Sequence, residues 1–437
     1  MVQHRRRKVA VIGTGISGMS AAWLLSHTHD LTVYEHASRP GGHTRTVSGA
    51  GGVPVDMGFI VYNEATYPNL IALFRHLGVQ TQASDMSFAV SVDDGRLEYA
   101  GTDLRGLLAQ PSNILRPRFW GMLRDLLRFY RQAPRDAAAL ERDLLSLDDY
   151  LAREGYGEGF VRDHLLPMAA AIWSTPADLV GAYPATAFIR FCENHGLLQL
   201  RDRPVWRTVS GGSAAYVRPL TAPFAQSMRL GCGVASLRRD ETGVVLRDMA
   251  GETARYDEVV IATHAPQALA MLEDPSDSEV ALLGAMRTAP NRVVLHQDPR
   301  LMPRRRAAWA SWNYLSRPDG ALCVTYWMDR LQSLPGPQPH FVTLNPTSEP
   351  QAILHEERFF HPQFDAASIR AQRALWSLQG TRHTWYCGAW FGAGFHEDGL
   401  QAGLAVAEQL GEMRRPWDVP AGSSRIHAGP SPAAIAA

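Results

Sequence analysis

Six residues near the start of the chain, Gly13-Thr14-Gly15-Ile16-Ser17-Gly18, carry the spacing G-x-G-x-x-G. They stand between an apolar run, Val9 to Ile12, that reads as a buried parallel strand, and a stretch, Ser17 to Ser26, that predicts a helix. In that setting the first glycine permits a tight turn and the second lets a pyrophosphate approach the backbone. The third lets helix and strand pack closely. The free N–H groups and positive dipole end of the helix then favour phosphate charge. Glu35 closes the next apolar run, Leu31 to Glu35, where a carboxylate can accept from ribose hydroxyls. The chemistry these residues suit is dinucleotide binding on a βαβ unit, a fingerprint that nicotinamide and flavin dinucleotides share.

Later segments extend the constellation. Arg39-Pro40-Gly41-Gly42-His43-Thr44 offers a glycine pair for a second close backbone approach, and Val55-Asp56-Met57-Gly58 follows it. The distal strand Val259-Val260-Ile261-Ala262-Thr263 and the terminal Gly394-Phe395-His396-Glu397-Asp398-Gly399-Leu400 complete the set. The elements that must position them read as a hairpin over Gly49 to Asp56, a helix over Ala65 to Leu77 and mainly helical chain from Leu104 to about His195. A β-rich stretch opens near Met228, with meander strands at Cys232 to Arg239, Val244 to Asp248 and Glu252 to Tyr256. Strands are expected around Trp309, Trp312 and Trp327 and over Thr384 to Trp390, then a helix over Leu400 to Leu410 and a loosely held tail from Arg415.

The expected fold class is α/β, a discontinuous Rossmann-type domain with an α+β substrate domain. The nucleotide domain is expected over 1–100, 205–290 and 381–414. The substrate side is expected to be a helical segment, 101–204, and strands, 291–380, with the tail over 415–437.

At 437 residues the chain exceeds what one core usually covers, so two joined domains are the default. Lys plus Arg and Asp plus Glu are equal at 43, which removes the global basic field that nucleic acid would require. Lys8 is the only lysine. Four scattered cysteines, Cys192, Cys232, Cys323 and Cys387, form no CxxC pair or zinc-like cluster, so no metal site or disulfide is expected and a cytoplasmic protein is. The basic run His4 to Lys8 precedes an apolar stretch that Gly13 and Gly15 cut too short for a signal peptide, and no apolar run is long enough to span a bilayer. Arg116 to Arg131 predicts an amphipathic helix whose Arg124, Arg128 and Arg131 share a face. It suits packing on the substrate domain, or weak contact with a membrane surface.

The fingerprint, Gly42-His43-Thr44, Asp56-Met57-Gly58-Phe59-Ile60-Val61-Tyr62-Asn63 and Gly394-Phe395-His396-Glu397-Asp398-Gly399 together resemble the FAD-dependent amine-oxidase-like superfamily. More narrowly they resemble a bacterial group of NAD/FAD-binding oxidoreductases, itself similar to the N-terminal flavin-domain-like part of plant cyclopropane-fatty-acid synthases. The resemblance implies FAD as cofactor, with Glu35 at the adenosine ribose and Gly15 and Ser17 at the pyrophosphate. It sets Arg39, Gly41 and Gly42 along the phosphates and flavin, and Val234 at the adenine. Asp398 and the helix from Gly399 would face the pyrimidine and ribityl end. Gly13, Ile16, Gly18, His36, Thr44, Gly58, Phe59, Thr263 and Leu400 complete the implied cofactor contacts.

For the chemistry itself the candidates are Trp390, His43, Trp173 and His396. Trp390 and Trp173 are read as aromatic walls of the cavity or as core residues. His43 is read as a proton relay beside the flavin or as a residue that orders its loop. His396 and Glu397 are read as acid–base groups, Glu397 more simply as a structural partner near the phosphates. Tyr62 and Asn63 could face the same cavity, His195 reads as a helix C-terminal residue and Cys387 as an apolar filler. Amine oxidases of the superfamily use a lysine to position water at the flavin. Lys8, before the first strand, cannot do this, which weakens the amine reading and leaves the electron acceptor open. The leading expectation is therefore hydride transfer from an apolar, lipid-like small molecule to flavin N5. The alternatives are amine oxidation to an imine, a flavin-dependent desaturation or isomerisation, or a flavin-bearing partner without turnover of its own.

Overall fold

The computed structural model describes residues 6–140, 145–173, 180–194, 196–199, 203–319, 321–420 and 422–429. The fingerprint lies where expected, between β1 (Lys8–Ile12) and α1 (Ile16–Leu25), and β2 (Asp30–Glu35) follows. Every residue of α1 is buried, as befits a helix apolar on all sides rather than along one stripe. Three distant strands complete a parallel sheet: β3 (Met228–Leu230), β4 (Glu258–Ile261) and β5 (Thr384–Tyr386). Their order is β3-β2-β1-β4-β5, the doubly wound arrangement whose reversal between β1 and β4 opens a crevice at the carboxyl ends of the strands. The terminal helix α2 (His396–Gly411) packs on α1 so closely that a Cβ at Gly403 would lie 2.2 Å from the Ser17 carbonyl oxygen.

A three-stranded meander (Val234–Asp240, Gly243–Asp248, Thr253–Tyr256) follows β3. A seven-stranded mixed sheet forms the other side of the molecule. Its central strands include Trp312–Ser316, Leu322–Trp327 and Phe341–Leu344, and its long edge pair is Arg287–His296 with Ile353–Gln363. That pairing sets Asn291 opposite Phe359, which places Phe359, Phe360 and His361 over the crevice. Helices Pro117–Leu140, Leu166–Trp173 and Ala185–Asn194 cover this sheet.

Several boundaries differ from expectation for identifiable reasons. The helix expected from Ala65 begins at Pro68, because the Asn63 side chain accepts from the N–H groups of Ala65 and Thr66 and holds a turn there. Met228–Leu230 joins the parallel sheet beside β2 instead of opening the meander. The strand Thr384 to Trp390 stops at Tyr386, and Trp390 sits on a 3-10 turn, Ala389–Phe391. The last helix starts four residues early, since Asp398 accepts from the Phe395 N–H at 2.7 Å and closes its first turn. The helix expected over Arg116 to Arg131 runs to Leu140 through Pro134, with Ala133 and Ala137 buried on either side.

The tail is not loose over its described part. Arg415 pairs with Glu408 at 2.7 Å, Ile426 is buried, and Arg425 reaches Asp398 at 2.6 Å. All four cysteines are free. Among the described residues, no helix is long and apolar enough to cross a membrane.

Candidate active site

One cavity of about 800 Å³ runs from the fingerprint loop to the inner face of the seven-stranded sheet. At its first end the chain supplies backbone and few side chains. Gly13 adopts φ +96°, open to glycine and strained for other residues, with Ala262 behind it. A Cβ on Gly18 would fall 1.9 Å from the Gly13 carbonyl oxygen, so this position must stay bare for the helix to start here. Gly15 differs: a Cβ there would meet nothing within 4 Å, because the space in front of it is the cavity itself. No side chain caps α1 at Gly15, which leaves the helix N-terminus to whatever occupies that space. The second glycine pair folds onto the first loop, with Gly41 N–H donating to the Thr14 carbonyl at 3.0 Å. Glu35 is held at the same end: it accepts from Thr14 N–H (2.9 Å), from the Thr14 hydroxyl (2.5 Å) and from Ala37 N–H (2.8 Å).

The middle of the cavity is a cluster of imidazoles and rings. His43 stacks on Phe359 (4.8 Å between centroids) and meets His361 (5.4 Å) and His264 (5.9 Å) edge-on. Burial and the neighbouring histidines hold His43 well below the usual imidazole range, and its Nε2 has no hydrogen-bond partner. Burial also lowers His361 to about 4, and His264 in the same direction. The His361 Nδ1 meets the Asn291 amide at 2.8 Å. His396 lies flat on Phe59, 3.8 Å between centroids at 8°, and its Nε2 meets the Tyr216 hydroxyl at 2.6 Å. Tyr216 is in turn hydrogen-bonded to the Thr44 hydroxyl at 2.6 Å. At neutral pH these histidines are uncharged, so the cavity keeps imidazoles without placing cations in it.

Burial pushes His396 down to about 3, against 6.5 for a free imidazole. A folded value below the unfolded one gives stability that is complete above about pH 6.5 and lost as pH falls toward 3. Asp56, raised to about 6 by burial, has the opposite sign. His396→Phe should therefore lose less of its melting temperature than wild type between pH 7 and 5, and equal losses in thermal scans would count against the assignment.

Most sequence candidates meet in this cavity. Gly13, Gly15, Ile16, Ser17, Glu35, His36, Gly41 and Gly42 line its first end with Val234, and His43, Gly58, Phe59, Thr263, Trp390 and His396 line its middle. Trp390 is buried, with its indole N–H donating to the Thr263 carbonyl at 3.0 Å. Others stand behind the wall. Arg39, expected along the phosphates, gives its guanidinium to Glu357 at 2.8 Å and ties the loop to the long edge strand. Thr44 is buried on Tyr216, and Leu400 lies in the core. A Cβ on Gly399 would crowd Ser17 Oγ at 2.8 Å, so this residue serves helix packing. Asp398 is buried against Arg425 instead of facing the cavity.

Glu397 is a structural partner, but of the helix Pro68–Leu77 and not of phosphates, accepting from Asn69 and Leu70 N–H. Tyr62 and Asn63 are buried away from the cavity, which Ile60 and Val61 reach instead. Cys387 is a fully buried filler whose thiol burial pushes up. Trp173 ends its helix, but its side chain and His195 lie outside the described residues. Tyr216, His264, Phe359, His361 and Arg425 were not singled out by sequence. Each reaches the site from a distant segment, and no local spacing announces it.

The family model for flavin containing amine oxidoreductases matches residues 16–317. The chain belongs to that family. A protein named as a flavin-containing monoamine oxidase from Mycobacterium tuberculosis is 27% identical over 272 residues, 61% of this amine oxidoreductase and 59% of that protein. The chain thus spans about three fifths of the length of that relative. Among solved structures, a putrescine oxidase shares the fold with a TM-score of 0.70 at 14% identity, covering 93% of this chain and 99% of that one. A fatty acid isomerase from P. acnes does so with a TM-score of 0.63 at 16% identity, covering 93% and 98%.

The cofactor of this oxidoreductase is FAD, and the residues present fit it. A bare helix N-terminus faces open space at Gly15, and an oriented carboxylate stands at Glu35 with Val234 near it. When bound, the flavin supplies a two-electron acceptor. Glu35→Ala removes hydrogen bonds to an ionised acceptor, each contributing roughly 1.5–3 kcal/mol. FAD affinity should fall at least about tenfold, one decade per 1.4 kcal/mol. Titration of apoprotein with FAD checks this, and an unchanged dissociation constant would place the ribose elsewhere.

Proposed function

We propose that this flavoprotein oxidises an apolar, lipid-like substrate, with hydride passing from a substrate carbon to flavin N5. The observation that carries the reading is the far end of the cavity, lined by Met86, Ile172, Leu197, Trp312, Tyr326 and Phe364. Among the described lining residues the only carboxylate is Glu35, at the opposite, dinucleotide end, and there is no lysine or arginine. An alkylammonium ion would enter that far end without a counter-charge, at a desolvation cost of several kcal/mol. An acyl or terpenoid chain would bury its surface at about 25 cal/mol per Å². The motif resemblance to plant cyclopropane-fatty-acid synthases leans the same way. Amine oxidation is the second reading, favoured by the family and by the monoamine oxidase relative.

In this reading Trp390 and Phe59 wall the reacting carbon, and the rings around His43 exclude water from it. The segments 1–100, 205–290 and 381–414 form the dinucleotide side, and 101–204 with 291–380 form the substrate side. Lys8, at the outer end of β1, takes no part.

Titration of the holoenzyme with a long-chain fatty acid should perturb the visible flavin band, whereas an alkylamine of equal length should not. Trp390→Ala should keep FAD but weaken this response several-fold, and Lys8→Met should change nothing. A response to the amine alone would overturn the reading.

A further inference from the structure

We propose that the outer face of the segment from Leu104 to Arg131 docks on the surface of an anionic phospholipid bilayer. Four large apolar side chains in the first part of this segment face solvent: Leu115 (85% exposed), Leu104 (77%), Trp120 (51%) and Ile114 (48%). Single exposed apolar residues are ordinary on any surface, but a cluster on one short segment marks a contact site.

Loose packing does not explain the exposure, because the backbone that displays these side chains is held from beneath. Asp103 caps the turn Leu104–Leu107 through Gly106 N–H at 2.6 Å. Gln110 accepts from Glu98 N–H at 2.9 Å, and the Asn113 amide donates to the Glu98 carbonyl at 3.0 Å. The Trp120 indole N–H donates to the Ile114 carbonyl at 2.8 Å, which keeps the ring beside its apolar neighbour. Phe119, Met122 and Phe129, on the other side of the same helix, are buried.

Charge complementarity names the occupant. In a chain of zero formal charge this segment has six arginines (105, 116, 118, 124, 128 and 131) and one acid, Asp125. Asp125 is buried, accepting from Gly157 N–H and meeting Arg124 and Arg128. Neighbouring elements add Asp163 and Glu158, which pair with Arg118, and Tyr156, which lies under Arg128. Arg116 meets only a backbone carbonyl and an amide oxygen in its hydrogen bonds, and Arg105 is exposed beside Leu104.

Apolar knobs among guanidinium groups match acyl chains below phosphate headgroups, where each arginine strengthens adsorption and the attraction is screened by salt. A second copy would bring the same arginines against these and repel. The location also has a use: Phe119 and Met122 share a core cluster with Ala170 and Ala171, next to Ile172 in the cavity wall. The docking face is therefore one helix away from the apolar end of the cavity. The proposal does not rest on the substrate reading, since its test reads binding and not turnover.

The test is co-sedimentation of the FAD-loaded protein with phosphatidylglycerol–phosphatidylcholine vesicles and with phosphatidylcholine vesicles, at low and high salt. Size-exclusion chromatography of the same samples runs alongside. Binding to the anionic vesicles should exceed binding to the neutral ones by about tenfold or more and fall with salt. The double variant L115E/W120E should lose it by at least about tenfold while keeping the flavin band of the folded holoenzyme. No binding to anionic vesicles, equal binding to both kinds, or equal binding by the variant would each overturn the proposal. A dimer that this variant dissolves, without vesicle binding, would reassign the face to contact between copies.

Discussion

Gly15→Val should give a folded protein that retains no FAD. A side chain at this position would meet no protein atom within 4 Å, and the backbone, at φ −64° and ψ 176°, is one that any residue adopts. Valine at a helix N-cap is less favourable than glycine by about 1 kcal/mol, too little to unfold a chain of this size. The isopropyl group would instead occupy the space in front of the α1 N-terminus, where the pyrophosphate belongs. Far-UV circular dichroism and the melting temperature should match wild-type apoprotein, and the visible flavin band should be missing. Gly18→Val is the contrasting variant: its Cβ would collide with the Gly13 carbonyl, so it should fail to fold. A yellow Gly15→Val protein would show that the dinucleotide lies against another loop.

The second large effect is expected at Arg425. Its guanidinium lies 2.6 Å from Asp398, whose side chain is fully buried, and it also donates to the Thr66 carbonyl at 2.8 Å. Removing one partner of a buried pair leaves an uncompensated charge and costs about 3–5 kcal/mol. Burial already raises the Asp398 carboxyl, and without Arg425 it would rise further and take up a proton. Arg425→Met should lower the melting temperature by about 3–5 °C in a protein of this length. The double variant Asp398→Asn/Arg425→Met should recover most of the loss, because no charge then remains buried. An unchanged melting temperature in the single variant would mean that the tail does not hold the first turn of α2.

The dinucleotide end was legible because its determinants are local. Turn, helix start and ribose carboxylate lie within Gly13 to Glu35, and each follows from glycine sterics, apolar runs and one acid at the right spacing. Contacts made across the chain were not legible. Arg39 stands in a motif that suggests phosphate contact, yet its charge is used by Glu357, more than three hundred residues away. The chain of hydrogen bonds from Thr44 through Tyr216 to His396 joins three segments separated by 172 and 180 residues. A tail rich in Pro, Ala, Gly and Ser reads as loose, but one arginine aimed at a buried carboxylate outweighs that composition. Met228–Leu230 is too short for its pattern to separate an edge strand of the parallel sheet from the start of a meander.

The central claim, an FAD oxidoreductase with an apolar substrate, is tested most directly by anaerobic mixing of the yellow holoenzyme with a bacterial lipid extract and, separately, with a panel of aliphatic amines. The account predicts that the lipid fraction bleaches the visible flavin band and that the amines leave it unchanged. Bleaching by amines and not by lipids would contradict it.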